Sequence, residues 1–330
     1  MDTAAPLLVT GAAGFIGARF VDSCTRRGIA CTSADKASHF GARAEHRDVD
    51  FGAIVDRDDL LPWLERDRPP LAGIVHLGAC TDTTETDIAY LDRVNVRYSE
   101  RLWQFAVAER VPMVYASSAA TYGDGSEGFD DDEARIPRLR PLNFYGDSKQ
   151  RFDCFVLDAE RAGQSPPAWS GFKFFNVYGP GERHKGRMAS VVLHAFDQIR
   201  ASGTVRLFRS HRPDVPDGHQ RRDFIHVDDV VDALHFALAR PLPRGIYNLG
   251  TGTARTFLDL AHATFAALGV PPSITWTDTP IDLRARYQYR TEATMDRLAA
   301  AGWAHPTVAL EDGVRAYVRW LLAHAPAPGT

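Results

Sequence analysis

The feature that most constrains the fold is a set of three glycines near the start of the chain, Gly11, Gly14 and Gly17. They follow an apolar segment, residues 6–10, that predicts a buried strand, and the residues after them predict a helix. Glycines allow a tight turn between strand and helix, and the N-terminus of that helix favours a pyrophosphate. A glycine-rich turn without a ligand is the simpler alternative, because short glycine patterns are weak signals. Their position after the first strand favours a dinucleotide-binding turn.

Short apolar segments alternate with amphipathic ones in the first half of the chain. Residues 29–34, 72–77 and 112–117 predict further buried strands, and residues 87–110 and 147–163 predict helices between them. Apolar strands that alternate with helices indicate a parallel sheet that is covered on both faces. The sequence therefore predicts an α/β fold, a Rossmann-like doubly wound parallel sheet with a smaller C-terminal α/β substrate lobe.

The pattern changes in the middle of the chain, where Gly and Pro become frequent. Residues 222–229 predict a short strand that leads into a helix capped by Asp228 or Asp229. We predict a dinucleotide-binding Rossmann core over residues 1–176, to which some later segments return. The rest, residues 177–330, is expected to form mainly the smaller substrate-binding lobe.

Composition and charge argue against several classes of protein. The 330-residue chain has a formal net charge of −4 and is 45% hydrophobic and 24% charged, as is typical of globular proteins. It lacks the basic balance of a nucleic-acid-binding protein and the apolar run of roughly 18 residues that a membrane span needs. The N-terminus does not resemble a signal peptide, so we predict a cytoplasmic location. The cysteine spacing fits no metal motif, so we expect no metal site and reduced thiols at Cys24, Cys31, Cys80 and Cys154.

Tyr145 and Lys149 stand four residues apart in a predicted helix and therefore lie on one face of it. A phenol titrates near pH ~10, but an ammonium at ~4 Å, at an effective dielectric of ~20, favours the phenolate by ~4 kcal/mol or ~3 pKa units. The spacing predicts a tyrosine that exchanges protons near neutral pH. An exposed Tyr/Lys pair without function is the weaker alternative, given the glycine turn upstream. Together, the turn and the pair indicate hydride chemistry on an alcohol.

Asp35 ends the second predicted strand, where an acidic residue binds the ribose 2′-hydroxyl of NAD. Lys36, Arg43 and Arg57 follow it, and any of them could pair with the 2′-phosphate of NADP. Each of these cations taken alone is an ordinary surface residue. The residues themselves therefore leave the choice between NAD and NADP open.

Other polar residues stand where a nucleotide-bound substrate would need them. Ser117 and Ser118 stand at the end of a predicted strand, and a serine there could donate a hydrogen bond to a reacting oxygen, or both could only satisfy backbone groups in a turn. The second half of the chain predicts a positive pocket that suits a diphosphate, although each cation alone is most simply a solvated surface residue. The members of this expected pocket are His184, Lys185, Arg187, His194 and Arg222.

These motifs together resemble the extended short-chain dehydrogenase/reductase superfamily, which includes nucleotide-sugar epimerases and dehydratases. Further segments resemble the ADP-L-glycero-D-manno-heptose 6-epimerase family, and the similarity runs almost end to end. The segments are residues 78–85, 115–123, 141–146, 184–190 and 285–288.

The resemblance implies an isomerase that inverts C6 of ADP-D-glycero-β-D-manno-heptose to give ADP-L-glycero-β-D-manno-heptose. The route it implies is transient oxidation to a 6-keto sugar and re-reduction with tightly bound NADP. It further implies a homo-oligomer, such as a pentamer, and a place in lipopolysaccharide biosynthesis. The alternatives are another NAD(P)-dependent nucleotide-sugar epimerase or dehydratase, and a dinucleotide-sensing protein without turnover.

The resemblance also implies roles for individual residues. Tyr145 and Lys185 match the two acid/base residues of the family, Ser118 its hydroxyl donor, and Lys149 the lysine that holds the nicotinamide ribose. Cofactor-binding positions are Gly11, Gly14, Phe15, Ile16, Gly17, Asp35, Lys36, Arg57, Leu77, Gly78, Ala79, Cys80, Thr81, Asn95, Lys149, Val177 and Lys185. Substrate-binding positions are Ser118, Asn176, Arg187, His194, Phe208, Arg222 and Tyr287.

Overall fold

The computed structural model describes residues 5–284, 287–303 and 307–324, so residues 285 and 286 of the segment 285–288 lie outside the described residues. The strands are β1 Leu7–Thr10, β2 Cys31–Asp35, β3 Ala53–Asp56, β4 Gly73–His76, β5 Met113–Ser118, β6 Trp169–Phe174, β7 Asn176–Tyr178, β8 Val205–Phe208, β9 Arg221–His226, β10 Gly245–Leu249, β11 Ala254–Thr256 and β12 Ile274–Thr277. The α-helices are α1 Phe15–Arg26, α2 Ala37–Ala42, α3 Arg57–Asp67, α4 Ile88–Leu91, α5 Tyr98–Ala108, α6 Phe144–Arg161, α7 Val191–Ser202, α8 Val227–Ala239, α9 Phe257–Leu268, α10 Ile281–Arg284, α11 Asp296–Ala300 and α12 Leu310–Ala323. Among these helices, none combines the length and the apolar character that crossing a membrane requires.

Seven parallel strands form the main sheet, in the order β10-β6-β5-β4-β1-β2-β3. All residues of β1 and β4 are buried, because the sheet is covered on both faces. The chain runs outward from β1 to β3 on one side and from β4 to β6 on the other, so the order reverses between β1 and β4. A crevice for a ligand opens at the carboxyl ends of the strands at such a point. The predicted doubly wound parallel sheet is confirmed.

The helix that carries Tyr145 begins three residues earlier than the sequence pattern predicts. Asn143 caps α6, because its side-chain Oδ1 accepts a hydrogen bond of 2.8 Å from the backbone N–H of Gly146. Tyr145 therefore lies in the first turn of α6, and Lys149 lies one turn further on.

The start of α8 corrects another prediction. His226 caps this helix, with its Nδ1 accepting a hydrogen bond of 3.3 Å from the backbone N–H of Asp228, so the predicted cap by Asp228 or Asp229 is wrong. The helix begins at Val227, which places both aspartates inside its first turn. The Asp228 carboxylate instead accepts two hydrogen bonds from Arg19 of α1, at 2.7 and 3.1 Å.

A second lobe combines two small sheets with α7, α9 and α12. One sheet has the order β11-β9-β7, and the other pairs β12 with β8. The buried side chains of Tyr178, Phe224 and Tyr317 belong to its core. Within this part of the chain, α8 and β10 belong to the first lobe, since α8 packs against α1 and β10 pairs in parallel with β6 before β11, α9 and α12 follow.

A fully buried ion pair joins three elements of the first lobe beneath the crevice. Lys173 Nζ of β6 lies 2.6 Å from Asp153 Oδ2 of α6, and both side chains are inaccessible to solvent. The Asp153 carboxylate also accepts hydrogen bonds from Ser117 Oγ at 2.7 Å and from the Tyr115 hydroxyl at 3.1 Å, both on β5. Lys173 Nζ in turn donates to Thr121 Oγ1 at 2.8 Å. The pair thus fixes α6 against β5 and β6.

Replacing Lys173 by Met should destabilise the protein by about 3–5 kcal/mol, because the buried Asp153 carboxylate would lose its counter-charge. The matched control is Arg161→Met, which removes a cation from an exposed pair with Asp158, where both side chains are 70% exposed. That change should cost about 0–1 kcal/mol. Urea unfolding of the two variants measures both values. Equal losses would contradict the assigned role of the buried pair.

Candidate active site

A cavity of about 680 Å³ opens at the carboxyl ends of the main-sheet strands and extends to the second lobe. Most of the site residues expected from the sequence line it. These are Gly11, Gly14, Phe15, Ile16, Gly17, Asp35, Lys36, Arg57, Leu77, Gly78, Ala79, Cys80, Thr81, Ser118, Tyr145, Lys149, Asn176, Val177 and Lys185.

The glycine turn at one end of the cavity is packed too closely to hold side chains. A Cβ added at Gly17 would lie 2.1 Å from the backbone oxygen of Gly11, and one added at Gly11 would lie 2.7 Å from Cα of Gly78. Gly11 also has a positive φ of 66°. Gly14, the N-cap of α1, has no side chain to satisfy the first N–H groups of the helix, which leaves them for a phosphate. The turn therefore fits the pyrophosphate of a dinucleotide.

The end of β2 holds both an acid and several cations. Asp35 accepts hydrogen bonds from Ala13 N at 3.2 Å and Lys36 N at 2.8 Å, and its Oδ1 lies 2.8 Å from His39 Nδ1. Arg43 donates to the carbonyl of Ala13, and burial lowers its pKa. This arrangement suits a ribose hydroxyl through Asp35 and a 2′-phosphate through the cations, so the structure also leaves NAD and NADP both open.

Asn95, a predicted cofactor-binding residue, is not among the residues that line the cavity. It is fully buried in a π-helical turn, Asp92–Arg97, behind the cavity wall. Its side-chain amide accepts from Cys80 N at 2.8 Å and donates to Cys80 O at 3.0 Å and to Ser148 Oγ at 2.9 Å. Because those bonds use its polar groups, Asn95 supports the loop that holds Cys80 and does not line the cavity.

Tyr145 lies beside Ser118 at the floor of the cavity. Burial raises the pKa of Tyr145, and a hydrogen bond with Ser118 opposes that rise. Lys149 Nζ donates to the Ala116 carbonyl at 3.0 Å, and burial lowers its pKa to about 8. The expectation that Lys149 brings the pKa of Tyr145 near neutrality is therefore wrong for this structure. The ammonium is bonded to β5, and the loss of solvent around the phenol outweighs other effects.

Lys185 enters the same cavity from a 3₁₀ turn, Arg183–Met188, which precedes α7. Its Nζ lies 5.2 Å from the centroid of the Phe15 ring, within the range of a cation–π contact. Burial lowers the pKa of Lys185, which brings its amine closer to the range where it can exchange a proton. Tyr145 and Lys185 thus line one cavity from different parts of the chain.

The expected positive pocket does not form as one group. Arg187 is exposed and pairs with Asp82 at 2.9 Å, and the imidazole of His184 bonds to Glu45 at 2.9 Å. His194 Nε2 lies 3.4 Å from the Arg187 carbonyl oxygen. The five residues are therefore divided: His184 and Lys185 line the cavity, whereas Arg187, His194 and Arg222 lie outside its lining.

Three predicted substrate residues form a separate cluster next to the cavity. The Arg222 guanidinium lies 5.4 Å from the centroid of the Phe257 ring and 5.5 Å from that of Tyr287, and burial lowers its pKa. Phe208 packs edge-on to Tyr287 at 6.5 Å between ring centroids. Phe257 also lines the cavity, so this aromatic cluster adjoins it.

Other cavity residues were not foreseen from the sequence. Several of them share a detectable signal, since they end or directly follow parallel strands and so lie at the same edge of the sheet. Residues of this kind are Thr10, Phe174 and Phe175.

Residues 7–250 match the model of the NAD dependent epimerase/dehydratase family. This range includes the glycine turn, Tyr145, Lys149 and Lys185. The chain therefore belongs to the NAD dependent epimerase/dehydratase family.

Curated relatives narrow the class. The ADP-L-glycero-D-manno-heptose-6-epimerase of Fusobacterium nucleatum is 41% identical, over 96% of this chain and 98% of its own length. The protein of the same name from Nitratidesulfovibrio vulgaris is 45% identical over the same shares of the two chains. The resemblance to this epimerase family, predicted from short segments, is confirmed.

Solved structures repeat the fold over nearly the whole chain. The Helicobacter pylori ADP-L-glycero-D-manno-heptose-6-epimerase has a TM-score of 0.79 at 25% identity and covers 98% of this chain and 99% of its own. The Thermus thermophilus UDP-glucose 4-epimerase in complex with NAD has a TM-score of 0.78 at 25% identity, over 97% of this chain and 100% of its own. A structural neighbour of this chain thus binds a nicotinamide dinucleotide.

Replacing Gly17 by Ala should weaken dinucleotide binding by roughly 10–100-fold, because the new Cβ displaces the turn at a cost of about 1–3 kcal/mol. Gly41→Ala in α2 is the control, since no atom lies within 4 Å of its added Cβ. Dinucleotide released on denaturation and the dissociation constant after reloading are the measurements. A Gly17→Ala protein that purifies with undiminished dinucleotide would contradict the assigned turn.

The lowered pKa of Lys149 predicts how stability changes with pH. The folded value is about 8, against 10.5 for an unperturbed lysine, so the unfolded chain binds more protons between these values and stability rises with pH there. Relative to Lys149→Met, the unmodified protein should gain about 2 kcal/mol from pH 7 to pH 9.5. Urea unfolding of dinucleotide-depleted protein at both pH values tests this. A stability difference that does not change with pH would show that burial leaves the amine unperturbed.

Proposed function

We propose that the protein is an ADP-D-glycero-β-D-manno-heptose 6-epimerase that gives ADP-L-glycero-β-D-manno-heptose. The observation that carries this proposal is the presence of Tyr145 and Lys185 in one cavity, together with the glycine turn. The names of the curated relatives supply the substrate class. A nicotinamide dinucleotide, when bound, would supply the removal and return of one hydride at C6 of the sugar.

When one stereocentre is inverted through a ketone, the oxygen loses a proton in the oxidation step and gains a proton from another direction in the re-reduction step. Tyr145 and Lys185 are suited to these roles, because one side chain takes the proton of the C6 hydroxyl and the other returns a proton after the ketone has turned. Ser118 donates a hydrogen bond to the same oxygen and, through its contact with Tyr145, orients the phenol. Lys149, which also lines the cavity, would hold the nicotinamide ribose and supply a positive charge there. The 6-keto sugar stays in the cavity between the two transfers.

We propose NADP as the cofactor, with NAD as the alternative. Lys36, Arg43 and Arg57 line the cavity around Asp35 and support the binding of an additional phosphate. The reaction has no net redox change, so the dinucleotide has no need to leave between turnovers. Tight binding at the glycine turn follows from this proposal.

We also propose a cytoplasmic homo-oligomer, such as a pentamer, whose product enters a heptose-containing glycan such as lipopolysaccharide. The large apolar side chains of Ile88 and Phe144 are 51% and 44% exposed. They belong to α4 and α6, which pack against each other. An apolar surface of this kind supports an interface between copies of the chain.

Tyr145→Phe and Lys185→Met should each lower kcat for C6 epimerisation about 10²–10⁴-fold while leaving the bound dinucleotide in place, because each removes one proton-transfer group. The assay incubates the protein with ADP-D-glycero-β-D-manno-heptose and determines the C6 configuration of the product by NMR. Arg183→Met is the control, since this cation of the same turn pairs with Asp197 at 2.9 Å and is half-exposed.

Two outcomes would contradict the proposal. Unchanged turnover by Lys185→Met would show that Lys185 is not the second proton-transfer residue. Turnover of UDP-glucose at C4, with none of the ADP-heptose, would assign the site to another epimerase of the same class.

A further inference from the structure

We propose that Glu45 is a positioning residue for Lys185. Through two hydrogen bonds to His184, Glu45 holds the Arg183–Met188 turn against the first lobe. This inference rests on the proposed function, since it gives Glu45 a role in the proton transfer that Lys185 performs. Glu45 was not a candidate residue in the sequence, and it lies 139 positions from its partner.

The turn that carries Lys185 depends on contacts outside itself. It is a short 3₁₀ segment interrupted at Gly186, whose φ of 52° and ψ of −122° are not helical. Within the turn, Lys185 N donates to the Glu182 carbonyl at 3.0 Å. A lysine side chain has many rotamers, so the position of its backbone largely decides which of them bring Nζ to a substrate oxygen.

Glu45 forms hydrogen bonds to His184, the residue directly before Lys185. Its Oε1 accepts one hydrogen bond of 2.7 Å from the backbone N–H of His184 and lies 2.9 Å from Nδ1 of the same residue. The side chains of Glu45 and His184 are only 12% and 14% exposed. Burial opposes ionisation, but these hydrogen bonds prevail and lower the pKa of Glu45 to about 2, so the carboxylate stays charged near neutral pH.

The neighbouring residue supplies a second link to the same region. His46 Nε2 donates to the Gly181 carbonyl at 3.0 Å, just before the turn begins. Glu45 and His46 belong to the short segment Ala44–His46, which follows α2 and the cavity residues around Asp35. The segment thus connects the end of the cavity near Asp35 to the Arg183–Met188 turn.

The remaining links across the turn are weaker or local. Arg187 reaches Asp82 of the first lobe, but its side chain is 68% exposed, and exposed ion pairs contribute little. Arg183 pairs with Asp197 of α7, and Glu182 bonds to Ser190, so these two contacts remain within the second lobe. Lys185 itself lies over the ring of Phe15 in the first lobe, and Glu45 adds shielded, charge-assisted hydrogen bonds between the turn and that lobe.

The test compares Glu45→Ala and Glu45→Gln with the control Asp197→Asn, which breaks an exposed ion pair of the same turn. Glu45→Ala should lower kcat for the ADP-heptose about 10–100-fold, with KM and bound dinucleotide changed less than threefold, because a small displacement of a catalytic group has an effect of this size. Glu45→Gln should recover most of the activity, since the amide oxygen still accepts both hydrogen bonds. Asp197→Asn should match the unmodified protein.

A double-mutant cycle separates positioning from a general loss of structure. Glu45→Ala should have no further effect on the residual activity of Lys185→Met, because both changes act through one side chain. A second drop of the same size in that background would overturn the proposal. So would an effect of Glu45→Ala on dinucleotide content equal to its effect on kcat.

A measurement without substrate keeps this inference distinct from the proposed function. Hydrogen exchange of peptides spanning residues 182–190 should accelerate at least tenfold in Glu45→Ala and stay unchanged in Asp197→Asn. Unchanged exchange in Glu45→Ala would overturn the positioning role, whatever the substrate. If the unmodified protein fails to turn over the ADP-heptose, the proposed function is wrong. The hydrogen-exchange result still tests the positioning role of Glu45 in that case.

The test also covers a competing role for the same side chains. Donor atoms of Glu45, His46 and His184 lie within 4.8 Å of one another, so the three residues could hold a cation. Activity that is unchanged by EDTA supports the role of Glu45 as a hydrogen-bonding, positioning residue. Loss of activity after EDTA, with recovery on adding Zn²⁺, would overturn it in favour of a metal site.

Discussion

The arrangement of the active site depends on one buried carboxylate, that of Asp153. It accepts hydrogen bonds from Lys173 of β6 and from Ser117 and Tyr115 of β5, while it belongs to the helix that carries Tyr145. An uncompensated charge in such a place costs several kcal/mol, so the elements hold together around it. These hydrogen bonds fix α6 against β5. They therefore set the distance between the phenol of Tyr145 and Ser118 at the end of β5.

The parts of the fold that follow from local pattern were predictable. Strands β1, β4 and β5 are almost wholly buried, and their apolar runs gave both their existence and their parallel arrangement. The edge strand β3 was missed, since its pattern is exposed or half-buried and Ile54 is 52% exposed. The start of α6 was placed three residues too late because the capping role of Asn143 was not recognised in the sequence.

The active site was predictable where residue type and spacing carry the chemistry. Gly17, Ser118, Tyr145 and Lys149 were expected to share a site and do line one cavity. Pairing between distant residues was not predictable from the local sequence, as with Glu45, which forms hydrogen bonds to a histidine expected to bind a diphosphate. The local sequence does not indicate which acidic residue pairs with which basic residue across the cavity.

The return of the chain to the main sheet bears on how the protein is made. Strand β10 completes the sheet beside β6, yet 70 residues separate the end of β6 at Phe174 from the start of β10 at Gly245. During synthesis, the backbone groups on that side of β6 stay unpaired until β10 has emerged from the ribosome. An open edge of this kind attracts other strands, so the nascent chain is most prone to aggregate in this interval.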